Sequence, residues 1–245
     1  MQLIWSEFSD LVVAGTSTKE EGNLSFKWKD PETEVTENIE RSFAKLGFDL
    51  NNLITLNQPH GNNVVIVGVD SVGCGAKQRD WLIGYDGLVT NDPKVILGIE
   101  TADCLPIFLF DPISKVIGLA HAGWRGVHTN IVSSLIETSL ILGSKIENIR
   151  IAVGPHIQSC CFKVQNDVAD QFKLLLSESV LEKEGRIYVD LQKVIVSQLK
   201  EKGIIDENIL MSHECTCCLN DKYYSFRREK EACSGSMLSV IKLKV

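Results

Sequence analysis

The chain has 245 residues, of which 44% are hydrophobic and 23% charged, a composition that predicts one globular domain (1–245) with a sizeable core. Its net charge of -7 and its pI near 5.3 argue against a surface that binds nucleic acid or an anionic membrane. No apolar run is long enough to span a bilayer, and the start of the chain lacks the features of a signal peptide, so we expect a cytoplasmic protein.

The first hundred residues predict short strands separated by polar turns. The predicted strands are 11–14, 24–28, 53–56, 64–69, 88–90 and 95–100. A helix is predicted over 34–47, because Val35, Ile39 and Phe43 repeat at helical spacing and Gly47 suits the C-terminal cap. Residues 70–94, apart from the strand at 88–90, are predicted as a loop rich in turn residues.

The central stretch 100–126 predicts a buried β-hairpin. Two apolar runs, 105–110 and 116–120, are joined through the turn signal Asp-Pro at 111–112. A hairpin returns the chain on itself, so Cys104 before the first strand and His121 after the second are expected to meet. A thiolate beside an imidazole suits zinc, copper or a Cys–His nucleophile pair.

A glycine-bracketed turn at 122–126 follows the hairpin, and 127–140 predicts an amphipathic helix ending near Gly143. Free N–H groups at a helix start and the guanidinium of Arg125 could hold a phosphate or a carboxylate. The simpler alternative is a tight turn with a surface arginine, which this motif alone favours.

The C-terminal half predicts a strand at 149–153 and helices at 167–182 and 191–202. Asp190 is the expected N-cap of the second helix and Gly203 its expected end. Residues 188–189 are extended, and 237–243 form the last strand. Strands clustered in groups, with helices between the groups, indicate an α+β fold.

One candidate site combines His60, Cys104 and His121. His60 lies in a turn between two predicted strands, where loops often carry function, although a hydrogen-bonded turn histidine is the simpler alternative. Two histidines and one cysteine leave a position open on a four-coordinate zinc, as in catalytic zinc sites. The long, irregular spacing does not by itself establish a site.

The chain has eight cysteines, which in a reducing cytosol are expected to be free, buried or metal-bound. The segment 213–218, with His213 and three cysteines, resembles a metal-binding knot. Neighbouring side chains on a strand point to opposite faces, so we predict small buried residues there and no second metal site. The pair Cys160-Cys161 is predicted to pack in a strand core.

Several motifs occur together and in order. They are QPHG (58–61), TADCLP (101–106), HAGWRG (121–126) and GPxI (154–157), extended by CCFxV (160–164), DL (190–191), CT (215–216) and SFRR (225–228). In these motifs the chain, from about residue 60 to residue 228, resembles a bacterial family once described as multicopper polyphenol oxidases (laccase-like). That family is now regarded as zinc-containing purine nucleoside phosphorylases.

The resemblance implies a layered α/β/β/α fold with mixed sheets. It implies His60, Cys104 and His121 as ligands of Zn²⁺, with Cu²⁺ as the alternative ion. The implied reactions are phosphorolysis of adenosine, inosine and methylthioadenosine, together with deamination of adenosine. The expected partners are purine nucleosides and phosphate, without nucleic acid or membrane, and the chain is expected to be a monomer or a homodimer.

Roles can be suggested for the residues of the resemblance. Cys104, Arg125 and Asp103 are the catalytic candidates, and Arg125 and Arg227 the candidate phosphate ligands. Zinc-activated water would account for deamination. Phosphate held against the anomeric carbon of the sugar would account for phosphorolysis through positioning and charge stabilisation. Asp103 could move a proton, orient a ligand or cap a backbone segment.

The chain departs from the family pattern near both ends. Ala14 and Lys19 stand where the family usually has His and Arg, residues 24–28 replace an Asn-containing strand, and Ser236 replaces an Arg. We therefore expect weaker or more selective activity on nucleosides. The alternatives are a copper-dependent oxidase, for which five histidines are few, a metal-free hydrolase with Cys104 as nucleophile, and a degenerate zinc-binding protein without activity.

Overall fold

A computed structural model of the chain describes residues 1–76 and 82–244. These residues form fourteen strands and six α-helices. The strands are β1 (Gln2–Ile4), β2 (Val12–Thr16), β3 (Leu53–Ile54), β4 (Val64–Ile66), β5 (Gly87–Thr90), β6 (Ile96–Thr101), β7 (Leu105–Asp111), β8 (Val116–Ala122), β9 (Arg150–Val153), β10 (Lys163–Val164), β11 (Val180–Lys183), β12 (Arg186–Val189), β13 (Ile209–Met211) and β14 (Met237–Leu243). The helices are α1 (Glu32–Ala44), α2 (Trp124–His128), α3 (Ile131–Ile141), α4 (Asn166–Leu175), α5 (Leu191–Glu201) and α6 (Phe226–Glu229).

Two large sheets, both of mixed direction, make up the centre of the molecule. The first has the strand order β1-β2-β14-β6-β3, in which only the β3–β6 pair is parallel. The second has the order β13-β9-β7-β8-β5-β4, with parallel pairs at its two edges. A small third sheet, β10-β12-β11, lies outside them. The predicted α+β class with mixed sheets is confirmed.

The two large sheets pack face to face, and helices cover their outer faces. Strand β7 is apolar throughout because both of its faces are buried. Phe108 and Phe110 face the first sheet, whereas Ile107 and Leu109 face α3 and its neighbours. Helix α1 covers the outer face of the first sheet, and α3, α4 and α5 cover that of the second. The expected α/β/β/α layering is confirmed. In the described parts of the chain, no helix has the length and hydropathy needed to cross a bilayer.

The central hairpin forms as predicted. Strands β7 and β8 are antiparallel partners along their whole length, and Pro106 lies opposite His121. The buried carboxylate of Asp111 fixes the turn, since it accepts N–H hydrogen bonds from Ile113 and Ser114. A third bond, from the backbone N–H of Lys145, ties the turn to the next connection.

One predicted element was wrong and two were wrong in part. Residues 24–28 are not a strand, because side chains bind the backbone locally. The side chain of Asn23 accepts the backbone N–H of Ser25, and the side chain of Ser25 accepts the backbone N–H of Lys27. The helix predicted over 127–140 is two helices, because Asn130 takes a left-handed conformation and caps α3. The helix predicted over 167–182 ends at Leu175, and β11 follows it.

The short strands β1, β10, β11 and β13 and the short helix α6 were not predicted. The boundaries of the other predicted elements agree with the structure to within a few residues, as is usual at element ends. Residues 77–81, which belong to the predicted loop 70–94, lie outside the described residues.

The cysteine predictions were only partly right. Cys215 and Cys217 are buried as predicted, but Cys218 is exposed. Cys160 is exposed and Cys161 half-buried in a turn before β10, so the predicted packing of this pair in a strand core was wrong.

Candidate metal centre and substrate cavity

Three segments bring the predicted ligand residues together. His60 lies in the loop between β3 and β4, Cys104 directly precedes β7, and His121 lies in β8. One nitrogen or sulfur atom of each lies within 4.8 Å of the other two. The two imidazole rings are nearly perpendicular, with their centroids 4.7 Å apart. The grouping predicted from the hairpin and from the family motifs therefore exists, and its role in metal binding stays a prediction.

Asp86 orients His121, although sequence reasoning recognised only its turn signal. Its Oδ1 lies 2.8 Å from Nδ1 of His121, and its backbone carbonyl accepts the N–H of His121 at 2.7 Å. Asp86 is fully buried. A carboxylate bound to Nδ1 keeps the proton on that atom, so the Nε2 lone pair is free to bind a metal.

The same carboxylate fixes the loop that carries His60. The backbone N–H of His60 donates to Oδ1 of Asp86 at 3.0 Å, and that of Gly61 to Oδ2 at 2.6 Å. His60 has a φ of 68°, a left-handed conformation that is costly for a residue with a side chain. These two hydrogen bonds hold the strained loop where the ring of His60 reaches Cys104 and His121.

The electrostatics of the three residues suit a cation. Burial lowers the pKa of His121 despite its bond to Asp86, so the ring is neutral at neutral pH. Burial raises the pKa of Cys104 to about 12, and the carboxylates of Asp103 and Asp86 add to the effect. Without a cation the thiol keeps its proton, whereas a bound divalent ion would displace it.

Gly123 leaves space for the three residues. A Cβ at this position would lie 2.6 Å from Cδ2 of His60 and 3.4 Å from Sγ of Cys104. Because no side chain fits there, the glycine of the HAGWRG motif is required by close packing against His60.

The donor set fits a metal ion. Two imidazoles and one thiolate are ligands that zinc and copper prefer, and three protein ligands leave a coordination position for substrate or water. All three residues line a cavity, so that position would face the cavity.

The cavity has a volume of about 480 Å³, which lies in the range of small-molecule sites. Its walls combine aromatic rings with a few polar groups. The aromatic residues that line it are Trp28, Trp124, Phe162 and Phe226. Phe226 is exposed at 59%, which places it at the mouth.

A polar network of three side chains also lines the cavity. Nζ of Lys27 contacts Oε2 of Glu100 at 2.9 Å and donates to the carbonyl of Leu56 at 2.9 Å. The amide of Gln58 donates to the carbonyl of Glu100 and accepts its N–H. Lys27, Gln58 and Glu100 all line the cavity. Sequence reasoning gave none of them a role in the site.

Both oxygens of the Asp103 carboxylate accept hydrogen bonds from the protein. Oδ1 accepts the hydroxyl of Thr216 and Oδ2 the backbone N–H of Arg227, both at 2.6 Å. Asp103 has a φ of 92°, a conformation that persists only where the surroundings fix it. Of the three roles predicted for Asp103, these contacts favour capping and orientation over proton transfer.

The two predicted phosphate ligands lie in different environments. Arg227 lines the cavity, its guanidinium lies 5.3 Å from the ring of Phe162, and Nη1 donates to the carbonyls of Cys161 and Lys163. Arg125 is exposed and stacks on Trp124 at 4.2 Å, and it is not among the residues that line the cavity.

Residues 13–244 match the family described as multi-copper polyphenol oxidoreductase laccase. The chain belongs to this family. A purine nucleoside phosphorylase of Deinococcus radiodurans is 39% identical over 222 residues, which cover 90% of the chain and 81% of that relative. Adenosine deaminase RL5, from an unknown prokaryotic organism, is 30% identical over 190 residues, which cover 75% of the chain and 72% of that relative.

A solved structure has the same fold. The crystal structure of the hypothetical protein YfiH of Bacillus licheniformis superposes with a TM-score of 0.92 at 30% identity, covering 99% of this chain and 97% of the other. Curated relatives in this laccase-like family carry enzyme names, and the chain is an enzyme of the same family. The predicted degenerate protein without activity is therefore set aside.

The departures from the family pattern fall in two places. Ala14 is buried between the large sheets, and Lys19 binds Glu229 and the carbonyl of Asn220. Neither of them lines the cavity, whereas Ser236 and Lys27 do. The departures that face the cavity are therefore Lys27, Trp28 and Ser236.

Two of the five histidines belong to a candidate metal group in the described part of the chain. All five are in the described part of the chain, and there His60 and His121 are the only two that join a candidate metal group. His156 is fully buried and bonded to the carbonyl of Gly154, and His128 packs against Phe172. The identity of the ion that the His60, Cys104 and His121 group binds stays a prediction.

Proposed function

We propose that the chain, as one domain over 1–245, is a zinc-dependent purine nucleoside phosphorylase. It would cleave adenosine, inosine and methylthioadenosine with phosphate to the free base and ribose 1-phosphate (5-methylthioribose 1-phosphate from methylthioadenosine), and it would deaminate adenosine as a side activity. The proposal rests on one observation: the group His60, Cys104 and His121 lies in an aromatic cavity that also contains Arg227.

Zinc is the ion that the donor set supports best. A tetrahedral site with three protein ligands and one free position is typical of catalytic zinc. The Asp86–His121 bond is the carboxylate–histidine arrangement that commonly supports such ligands. When bound, zinc would supply a Lewis acid that polarises an oxygen atom in the cavity.

The cavity residues suit a purine nucleoside and phosphate. The faces of Trp28 and Phe162 can stack on a flat base, and the carboxylate of Glu100 can accept a hydrogen bond from its edge. Arg227 would hold phosphate, and Arg125 would assist from the rim. In the proposed reaction a phosphate oxygen bonds to the anomeric carbon while the bond from that carbon to the base breaks, and the base leaves with a proton. Holding both reactants in one cavity would supply most of the acceleration.

Deamination is supported by the relative named as an adenosine deaminase and by the same metal group. In that reaction water would replace the exocyclic amine of adenosine, and ammonia would leave. Asp103 would act as a positioning residue, because both of its carboxylate oxygens already bind the protein.

The two rival activities have less support. A metal-free hydrolase would need Cys104 as a thiolate, but the raised pKa of this residue, to about 12, keeps the thiol protonated. A laccase-type oxidase would need more histidines near the centre than the described residues place there.

The test is a panel of nucleosides incubated with and without phosphate, with the products identified by mass spectrometry. We expect free base and ribose 1-phosphate from adenosine and inosine only when phosphate is present, and inosine from adenosine without it. Cys104→Ser should lose both activities together with the zinc of the His60, Cys104 and His121 group. Phenol oxidation that depends on added copper, without any phosphate-dependent cleavage, would overturn the proposal.

A further inference from the structure

Four cysteines from two turns converge on the outer side of the cavity wall. Cys160 and Cys161 come from the turn before β10, and Cys215 and Cys218 from the turn after β13. Their four sulfur atoms lie within 4.8 Å of one another. A backbone bridge between His156 and Cys215 sets the two segments side by side.

We propose that these four cysteines bind a second metal ion, a structural Zn²⁺, separate from the group formed by His60, Cys104 and His121. The sulfur of Cys218 lies 3.6 Å from that of Cys160 and 3.4 Å from that of Cys161, and the latter two are 3.8 Å apart. Four sulfurs bound tetrahedrally at about 2.3 Å from zinc are about 3.8 Å from one another. The spacing is therefore close to that of a zinc site, and all four thiols are free of disulfides.

The second turn has the local structure of a zinc-binding loop. Cys215 and Cys218 have the C-x-x-C spacing of many structural zinc sites. The backbone N–H of Gln158 donates to Sγ of Cys215 at 3.4 Å.

The charges around the group also suit a metal–thiolate centre. Zinc with four thiolates carries a net negative charge. Lys163 and Arg227 line the surface depression beside Cys160 and Cys161, and no acidic residue is among those that line it. These two positively charged side chains would stabilise the negatively charged zinc–thiolate centre.

The ion would stabilise the wall of the cavity. The carbonyls of Cys161 and Lys163 accept hydrogen bonds from Arg227, and Phe162 between them lines the cavity. On the other turn, Thr216 donates to Asp103. A Zn²⁺ that joins the two turns would therefore fix the position of Arg227 and of Asp103 without touching the substrate. The metal site itself does not depend on which substrate the cavity takes.

The decisive experiment counts metal ions in the full chain, produced in zinc-containing medium, by native mass spectrometry and elemental analysis. We expect about two zinc ions per chain and, in Cys161→Ser and Cys218→Ser, about one. Cys104→Ser should also keep one ion, namely the one bound by the four cysteines. Cys74→Ser is the matched control, since Cys74 is half-buried and belongs to neither group, and it should keep both ions. One zinc per chain that survives in Cys218→Ser and is lost in Cys104→Ser would overturn the proposal, as would iron in place of the second zinc.

A second measurement uses the unchanged chain, so it does not depend on the folding of a variant. Cys160 and Cys218 are exposed, so iodoacetamide can reach both sulfur atoms when no metal covers them. We expect both to resist alkylation in the zinc-loaded protein and to react after treatment with a strong chelator, as mapped by peptide mass spectrometry. Full alkylation before chelation would overturn the proposal. A disulfide between any two of the four in protein prepared with a non-thiol reductant would also overturn it, in favour of a redox-active pair.

A positional role for the ion predicts a specific kinetic effect. Cys218→Ser should raise the KM for phosphate by several-fold, because Arg227 loses its support, and change kcat less. This readout rests on the proposed function, whereas the metal count does not, so failure of one can be told from failure of the other.

Discussion

Nδ1 of His121 and Oδ1 of Asp86 lie 2.8 Å apart, and both side chains are buried. The same Asp86 carboxylate accepts the backbone N–H groups of His60 and Gly61. One buried side chain thus fixes two of the three proposed metal ligands, one through its ring and the other through its loop. The affinity of the centre should depend on this residue as much as on the ligands.

Asp86→Asn should weaken zinc binding at the His60, Cys104 and His121 group by roughly 10- to 100-fold, as is usual when a carboxylate behind a metal-bound histidine is lost. The amide can no longer hold His121 and both loop N–H groups with equal strength. Competition with a chromophoric chelator measures the change. Asp92→Asn is the control, because Asp92 lies between β5 and β6 and its carboxylate accepts the backbone N–H of Lys94. Equal zinc affinity in wild type and Asp86→Asn would contradict the role given to Asp86.

Gly123→Ala should reduce zinc occupancy and activity together. The added Cβ would lie 2.6 Å from the ring of His60, so the ring must move away from Cys104. Gly68→Ala is the matched control, because a Cβ at Gly68 has no neighbour within 4 Å. Elemental analysis and nucleoside turnover should change in the first variant only. An alanine variant of Gly123 with full zinc would show that the site tolerates this displacement.

Arg227→Gln should raise the KM for phosphate by about one to two decades, the effect of one charge-assisted contact worth roughly 1.5–3 kcal/mol. Zinc content should stay the same, because a guanidinium does not bind zinc. The neighbouring Arg228 is exposed, so Arg228→Gln is the control. Steady-state kinetics with phosphate as the varied substrate give the answer, provided that both variants melt near the wild-type temperature. An unchanged KM would remove Arg227 from the phosphate site.

Arg125→Ala should also keep its zinc, but it should raise the KM for phosphate less than Arg227→Gln does. The reason is position: Arg125 is exposed and stacked on Trp124, so it would have to turn toward the cavity to reach phosphate. Loss of zinc in this variant would contradict the separation between metal ligands and phosphate ligands. An effect larger than that of Arg227→Gln would make Arg125 the principal phosphate residue.

The sequence predicted the hairpin and the meeting of Cys104 with His121 because both depend on local patterns, two apolar runs and an Asp-Pro turn. It did not reveal Asp86, whose partner His121 is 35 positions away. The Asp-Gly pair at 86–87 showed only a turn. Once β5 is known to pair with β8, with Gly87 opposite Ala120, Asp86 falls beside His121. Strand pairing is the missing step, because it is decided by long-range packing.

The cysteines show a second limit of sequence reasoning. Adjacent cysteines on a strand would point to opposite faces, and this argument excluded a shared site. Cys160-Cys161 and Cys215 to Cys218 lie instead in turns, where neighbouring side chains can converge. The departures from the family pattern show a third limit, since the sequence could not say that Ala14 is buried between the sheets while Ser236 faces the cavity.

The last prediction concerns the turn that closes the central hairpin. The Asp111 carboxylate is buried, which disfavours its charge, but N–H groups of Ser114, Lys145 and Ile113 outweigh burial and lower its pKa. A carboxyl with a lower pKa in the folded state stabilises the fold above its unfolded pKa of about 3.9, and this stabilisation is lost as the pH falls through the lower folded value.

Asp111→Asn should therefore lower the free energy of unfolding at neutral pH by roughly 1–3 kcal/mol, since the amide NH₂ would face the N–H of Lys145. Below the folded pKa wild-type Asp111 is itself neutral, so the difference between the two proteins should shrink there. Denaturant unfolding of both proteins across the acid range measures it, with the exposed Asp206→Asn as the control. A difference that stays constant down to the lowest pH at which both proteins fold would mean that the charge of Asp111 does not stabilise the turn.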